Sequence, residues 1–200
     1  MGFELDKKNA LEKIDKSKKG AIDKDIKKLV DKINSFSCYY TTSSCSGRIL
    51  LISFPEDNKK YNVEWLFVSH DLVDFRTVKE NLNKIILNFK NDNIKNDVWF
   101  REESTIMHVC CKTMEDASRL IEISKHIGFK RSGINAVHNR IILELVSTEN
   151  MDTPVIKDGK LLVNDEYLKI LVKEANKKLK RTKEKTKKLC NELHSLSSSR

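Results

Sequence analysis

The sequence is poor in glycine and proline and has no long apolar run. With 6 Gly and 2 Pro in 200 residues, the chain is not a low-complexity or collagen-like protein. Its longest apolar runs are four to six residues, whereas a helix needs roughly 20 apolar residues to cross a bilayer. The first residues are rich in Lys and Asp and lack the apolar segment of a signal peptide. We therefore expect a globular protein of the cytosol or nucleus without membrane attachment.

Several motifs of enzyme and metal chemistry are also missing. The five cysteines are odd in number and include no CxxC pair, so neither a disulfide framework nor a zinc site is indicated, and we expect no metal. The sequence contains no GxGxxG, GxxxxGK[ST], HExxH or GxSxG. Known nucleotide-binding loops, zinc proteases and esterases are therefore unsupported.

Positive charge is abundant and concentrated near the C-terminus. The formal net charge is +9, and nine basic residues lie between Lys173 and Lys188 against Glu174 and Glu184. Such a bias favours a polyanionic partner, and nucleic acid is the usual one. A solvated lysine-rich helix is the alternative. The basic candidates for phosphate contacts are Lys177, Lys178, Lys180 and Arg181.

The densest group of small polar side chains lies at residues 39–48, YYTTSSCSGR. It precedes the apolar run 49–52, which is typical of a buried strand. We interpret the stretch as a loop that presents hydroxyls, backbone N–H groups and the Arg48 guanidinium to a charged or nucleotide-like ligand. The alternative is a tight turn whose hydroxyls bond only their own backbone. Cys45 lies beside Arg48, where a thiolate would be stabilised.

A second polar stretch and two histidines complete the candidates. Residues 128–134, GFKRSGI, again combine a guanidinium, a hydroxyl and a glycine between a predicted helix and strand, and Arg131 suits a phosphate or carboxylate. His70 follows a predicted strand, a position that is common for chemistry and commoner for a plain polar residue. His108 is flanked by apolar residues, as a hydrogen-bonded core histidine would be.

Apolar periodicities predict alternating helices and strands. Ile26, Leu29, Val30 and Ile33 mark a helix from residue 24 to about 35. Thr113 and Asp116 indicate the start of another helix and Gly128 its end. Asp158 and Gly159 predict a hairpin, and Asn164 caps a long helix. We predict one domain over residues 1–200, with residues 173–200 as a projecting basic helical tail.

Seven blocks stand in one order along the chain: residues 15–23, 39–49, 65–70, 106–109 and 128–134, Glu144 with Ser147 and Thr148, and 161–163 with Tyr167 and Leu168. Together they resemble the wybutosine-synthesising tRNA methyltransferase family, the third protein of that pathway in eukaryotes and its archaeal relatives. The SCSGR and RSGI blocks are the most specific.

The resemblance implies methyl transfer from S-adenosylmethionine to N4 of the tricyclic wybutosine precursor base beside the anticodon of phenylalanine tRNA. It also implies an α+β fold with a mixed sheet flanked by helices and a long basic C-terminal helix, and not the doubly wound methyltransferase fold. A tRNA-modifying enzyme of this kind is expected in the cytoplasm. Oligomeric state stays open.

Roles for the matching residues follow from chemistry. His70 suits removal of the proton. Cofactor binding is predicted for Ser44, Cys45, Ser46, Gly47, Arg48, Arg131, Ser132 and Gly133. Substrate binding is predicted for Tyr39, Tyr40, Trp65 and His108, with the four basic residues of the C-terminal helix. Two other readings stay open, a non-catalytic RNA-binding module and a cysteine-dependent enzyme that uses Cys45.

Overall fold

The computed structural model describes residues 2–12, 22–55, 63–90 and 96–193. These residues form helices α1 (Phe3–Glu12), α2 (Lys24–Ser35), α3 (Phe75–Lys90), α4 (Met114–Ile127) and α5 (Asp165–Glu192). The strands are β1 (Tyr39–Cys45), β2 (Arg48–Ser53), β3 (Glu64–Ser69), β4 (Val98–Glu103), β5 (Ile106–Cys111), β6 (Gly133–Ala136), β7 (Ile141–Val146), β8 (Asn150–Lys157) and β9 (Lys160–Leu161). Residues 15–21 of the first resembling block lie outside the described ranges, as do residues 194–200.

The described residues of 1–47, 104–148 and 181–200 form a first compact unit. Its sheet has the strand order β1-β5-β7-β6. Met107 and Val109 of β5 and Leu143 and Leu145 of β7 point to one face, because alternate residues of a strand share a face. There they join a core that also contains the buried stripe of α2. We call the opposite face of this sheet its outer face.

The described residues of 48–103 and 149–180 form a second compact unit. Its sheet has the strand order β3-β2-β4-β8-β9. Leu51 of β2, Phe100 of β4 and Leu82 of α3 are buried in its core together with Leu168 and Val172 of α5. Arg48, the first residue of β2, therefore belongs to this unit, whereas Gly47 belongs to the first. A single domain over residues 1–200 stays a prediction.

The predicted helix ends and the hairpin are confirmed. Thr113 Oγ1 accepts a hydrogen bond from Asp116 N at 3.1 Å, and Gly128 ends α4 with φ of 112°. Asn164 Oδ1 accepts from Tyr167 N at 2.9 Å at the start of α5. Asp158 and Gly159 both have positive φ between β8 and β9, as a two-residue hairpin turn requires.

The α+β class is confirmed, but the mixed sheet is wrong. Every strand pair among the described residues is antiparallel, and the strands form two sheets. An antiparallel sheet can bury one face and leave the other polar, which gives strands an alternating pattern. β5 has that pattern, since Met107 and Val109 are buried while His108 between them is half-buried.

The projecting tail is also wrong for the described part of residues 173–200. Leu189 and Leu193 are fully buried in the core of the first unit. Thr182 and Thr186 are buried as well, and the Thr186 hydroxyl donates to Thr182 O at 2.9 Å. Because these two threonines are polar, the buried face of α5 is not recognisable as a periodic apolar pattern in the sequence. No helix in the described part of the chain is long and apolar enough to cross a membrane.

Candidate active site

The hydroxyl-rich stretch is mostly a strand, and the predicted loop is wrong for residues 39–45. β1 pairs with β5, with a register shift between Thr41 and Ser43. The β5 backbone supplies hydrogen-bond partners that composition alone does not reveal. After the shift, Ser43 and Cys45 lie on the outer face opposite His108 and Ile106. Ser44 lies opposite the buried Met107.

A row of polar residues crosses the outer face at the level of Ser43. Ser43 lies opposite His108, and His108 lies opposite Glu144 in β7. Ser43 Oγ is 2.8 Å from His108 Nδ1, and His108 Nε2 is 3.1 Å from Glu144 Oε1. The side chains of His108 and Glu144 are 28% and 35% exposed, so a ligand can reach them.

The partners in this row favour one imidazole tautomer. An ionised carboxylate only accepts hydrogen bonds, so a bond from His108 to ionised Glu144 places hydrogen on Nε2. In the neutral ring, Nδ1 then carries the lone pair and accepts from the Ser43 hydroxyl. His108 is thus oriented by a partner on each side.

Gly133 stands at the end of the same row, opposite Glu144 on β6. A Cβ added to Gly133 would meet no atom within 4 Å, so there is open space beside its backbone. Ser132 is buried, and its Oγ accepts from Val146 N at 3.0 Å. Arg131 is exposed. Of the second polar stretch, Arg131 and Gly133 are accessible, whereas Ser132 holds β7 in place.

Ser46 is committed to internal hydrogen bonds. Asp23 Oδ2 accepts from both Ser46 N, at 3.0 Å, and Ser46 Oγ, at 3.2 Å. The Ser46 carbonyl accepts from Thr105 Oγ1 at 3.1 Å. Gly47 has φ of 91°, a conformation that favours glycine. These two residues shape the end of β1 and do not offer free donors to a cofactor.

Arg48 lies against an aromatic ring in the second unit. Its Cζ is 4.1 Å from the centroid of the Trp65 ring, and its Nε donates to Glu103 Oε2 at 2.7 Å. Arg101 Nη1 also lies 3.6 Å from Glu103 Oε1. Trp65 is 49% exposed. The guanidinium is therefore neutralised by Glu103 and stacked on an indole that is still accessible.

His70 directly follows β3 in the second unit and is half-buried. The turn around it is held by Ser69, whose Oγ accepts from Asp71 N at 3.1 Å and donates to Asp71 O at 2.8 Å. The backbone position of His70 is thus well defined. Its role in proton removal stays a prediction.

Tyr39 and Tyr40 are core residues. They are 2% and 0% exposed, and the Tyr39 hydroxyl donates to Asp116 O at 2.9 Å. The Tyr40 ring packs on Phe3 of α1 at 5.3 Å between centroids. Burial raises the pKa of both phenols well above their usual range. Their rings are inaccessible to a substrate base, so the predicted stacking on a base does not fit either tyrosine.

The basic candidates on α5 differ in their partners. Lys180 and Arg181 are exposed. Lys177 Nζ lies 3.5 Å from Glu174 Oε2, and Lys178 Nζ lies 3.9 Å from Glu149 Oε2. Lys180 and Arg181 are therefore better placed than Lys177 and Lys178 to contact phosphates.

Sequence reasoning did not assign roles to Ser43 and Glu144. Both lie in blocks that carry the family resemblance, but the loop prediction left the face of Ser43 undefined. The alternation of β5, in which a histidine separates two apolar residues, is the signal for a polar position on an open sheet face. The residues opposite that histidine on the neighbouring strands can be identified only when the strand register is known.

Comparisons with known proteins agree with these blocks. The family described as Methyltransferase TYW3 matches residues 5–195. A Thermococcus sibiricus protein named tRNA(Phe) 7-((3-amino-3-carboxypropyl)-4-demethylwyosine(37)-N(4))-methyltransferase is 43% identical over 97% of this chain and 95% of its own. The tRNA wybutosine-synthesizing protein 3 homolog of Xenopus laevis is 37% identical over 94% of this chain and 73% of its own.

Solved structures share this fold. The solved structure of the PH1069 protein from Pyrococcus horikoshii matches with a TM-score of 0.85 and 39% identity, over 96% of each chain. A hypothetical protein from Aeropyrum pernix shares the fold, with a TM-score of 0.73 and 24% identity over 87% of this chain and 98% of its own. The predicted resemblance is confirmed, and the chain belongs to the Methyltransferase TYW3 family.

Proposed function

We propose that this enzyme methylates N4 of the 7-(3-amino-3-carboxypropyl)-4-demethylwyosine base at position 37 of tRNA(Phe). The observation that carries the proposal is similarity along almost the whole chain to proteins with that name, at 43% and 39% identity over 97% of this chain. Because both lengths are covered almost completely, the comparison does not rest on a shared fragment.

We propose S-adenosylmethionine as the methyl donor, which supplies a sulfonium-bound methyl group when it is bound. The donor also carries a carboxylate, which a guanidinium can bind through two oxygens. Arg131 is exposed and near Gly133, where a Cβ would meet open space, so these residues fit an amino-acid group. Ser44 and Cys45 are half-buried candidates. Ser46, Gly47 and Ser132 support the backbone.

Trp65 fits a stacked base of the tRNA. Base–aromatic stacking contributes about 1–3 kcal/mol per base, and Trp65 is 49% exposed. The Arg48 guanidinium lies against the indole and is itself held by its ion pair with Glu103. Arg48 thus becomes a residue that orients a stacking surface, a role different from the carboxylate binding that its sequence context suggests.

The test measures methyl transfer directly. Purified protein is mixed with S-adenosylmethionine carrying a labelled methyl group and with tRNA(Phe) that bears the N4-unmethylated base. We expect label in that base and no label in tRNA(Phe) with plain guanosine at position 37. Binding of the labelled donor without tRNA is measured in parallel.

Each outcome has a definite meaning. No donor binding and no transfer, together with tRNA binding, would contradict the proposal and favour a non-catalytic RNA-binding module. Transfer to the plain-guanosine tRNA would contradict the substrate assignment and leave the methyltransferase chemistry intact.

A further inference from the structure

The polar row on the outer face of the first sheet is a continuous chain of hydrogen bonds. Ser43 Oγ contacts His108 Nδ1 at 2.8 Å, and His108 Nε2 contacts Glu144 Oε1 at 3.1 Å. The backbone already pairs the three strands in register, so strand pairing does not depend on these side chains. Partly exposed charged pairs also contribute little to folding. The arrangement instead suits proton transfer.

The direction of transfer follows from the tautomer. With hydrogen on Nε2 facing Glu144, Nδ1 accepts the Ser43 hydroxyl hydrogen. The remaining lone pairs of Ser43 Oγ can then accept a hydrogen from a ligand N–H group. An imidazole is suited to hold a proton near neutral pH, and a carboxylate beside it stabilises the imidazolium that forms.

We propose that Ser43, His108 and Glu144 form a relay that removes the N4 proton during methyl transfer, an inference that rests on the proposed function. As the N4–carbon bond forms, the N4–H bond breaks and its proton passes to Ser43 Oγ. The Ser43 hydroxyl proton passes at the same time to His108 Nδ1. The donor's carbon–sulfur bond breaks, and sulfur keeps the electron pair. His108 becomes an imidazolium beside Glu144 and later returns the proton to solvent.

The relay assigns proton removal to a different histidine from the one that the sequence suggests. His70 directly follows β3, and His108 is in the middle of β5, with Ser43 at one ring nitrogen and Glu144 at the other. Ser43 contacts the substrate, and His108 and Glu144 act through it. A general base contributes about a hundredfold or more to the rate, so the two assignments are distinguishable.

The kinetic test uses single-turnover methyl transfer with separate measurements of donor and tRNA binding. We expect His108→Ala and Ser43→Ala to lower the transfer rate by about a hundredfold or more and Glu144→Gln by about tenfold or more. In His108→Ala and Glu144→Gln the dissociation constants for both ligands should stay unchanged. Glu144→Asp, which keeps the carboxylate, should recover much of the rate. Thr42→Ala is the matched control because its exposed hydroxyl donates to the backbone carbonyl of His108, at 3.4 Å.

A spectroscopic test does not depend on activity. ¹⁵N NMR of the full chain with labelled histidine should show His108 with hydrogen on Nε2 at neutral pH. In Glu144→Leu, which removes the acceptor, that preference should disappear while the amide spectrum stays folded. A wild-type His108 with hydrogen on Nδ1 would overturn the relay whatever the kinetics show.

Different results would overturn the relay and the proposed function. If the wild-type chain transfers the methyl group and His108→Ala retains the rate, the relay is overturned and the proposed function stands. A rate lost in His70→Ala and retained in His108→Ala would assign the proton to His70 and also overturn the relay. If the wild type binds the donor but transfers nothing to tRNA, the proposed function fails, and the relay fails with it.

Discussion

At the scale of single residues, Gly128 and Gly133 differ in whether the fold requires a glycine. Gly128 has φ of 112° at the end of α4, where a residue with a Cβ is strained by about 1–2 kcal/mol. Gly133 has no such backbone requirement, and a Cβ there would meet no atom within 4 Å. Its lack of a side chain is thus unexplained by folding and consistent with a ligand at this position.

We predict opposite effects for the two alanine variants. Gly128→Ala should lower the free energy of unfolding by about 1 kcal/mol or more with little effect on donor binding. Gly133→Ala should leave stability unchanged or raise it by about 0.4–1 kcal/mol, and it should weaken donor binding. Urea unfolding and binding of labelled S-adenosylmethionine check both. Unaltered binding in Gly133→Ala would remove Gly133 from the proposed site.

Cys45 is the second residue whose role a substitution decides. It is half-buried on the outer face, two residues from Ser43. The proposed reaction joins a nitrogen nucleophile to an activated methyl group, so no covalent enzyme intermediate is needed. We predict that Cys45→Ser keeps most of the single-turnover rate, with Cys190→Ser as a control. Loss of activity in Cys45→Ser alone would favour the cysteine-dependent reading.

At the scale of elements, α5 combines a buried stripe with a basic face. Leu179 and Leu189 are fully buried, whereas Lys180 and Arg181 are exposed. Basic residues that contact phosphates release counterions, and each contact contributes about 0.7–0.9 to the slope of log affinity against log salt.

We therefore predict that Lys180→Gln with Arg181→Gln weakens tRNA binding and flattens this salt slope. Lys177→Gln with Lys178→Gln should have a smaller effect, because those two ammonium groups lie near Glu174 and Glu149. Affinity for S-adenosylmethionine should not change. Lys8→Gln on α1 is the control. An unchanged slope in the first double variant would mean that this face of α5 is only solvated.

At the scale of the whole molecule, burial of ionisable groups in the first unit predicts how stability depends on alkaline pH. Burial raises the pKa of the Cys111 thiol to about 12 and also raises those of Cys110, Tyr39 and Tyr40. An unfolded cysteine ionises near pH 8.5, so above about that pH the unfolded chain loses protons that the folded chain keeps. Stability is therefore fully present below that pH and declines above it.

The decline is measurable by urea unfolding between about pH 7.5 and about pH 10.5. We expect the free energy of unfolding to fall across this range and to fall less steeply in Cys111→Ala than in the wild type. The comparison uses slopes, since the alanine variant is less stable at every pH. Equal slopes would contradict the assignment to Cys111.

Local features of the fold were predictable because they depend on neighbours in the sequence. The cap at Thr113, the glycine that ends α4, the hairpin at Asp158 and the stripe of α2 all depend on residues a few positions apart. The resemblance of short blocks likewise predicts the family, since each block joins residues that are close together in the chain.

The sequence by itself therefore determined the α+β class, the helix ends and the family. The tertiary structure decided which candidates are accessible, because burial depends on partners distant in the chain. Four of the predicted site residues are buried in the structure, namely Tyr39, Tyr40, Ser46 and Ser132. The end of α5 is packed into the core of the first unit, and its buried face includes Thr182 and Thr186. The tertiary structure also brought Ser43, His108 and Glu144 into one row. Strand register creates that row, and register joins residues that are 65 and 36 positions apart.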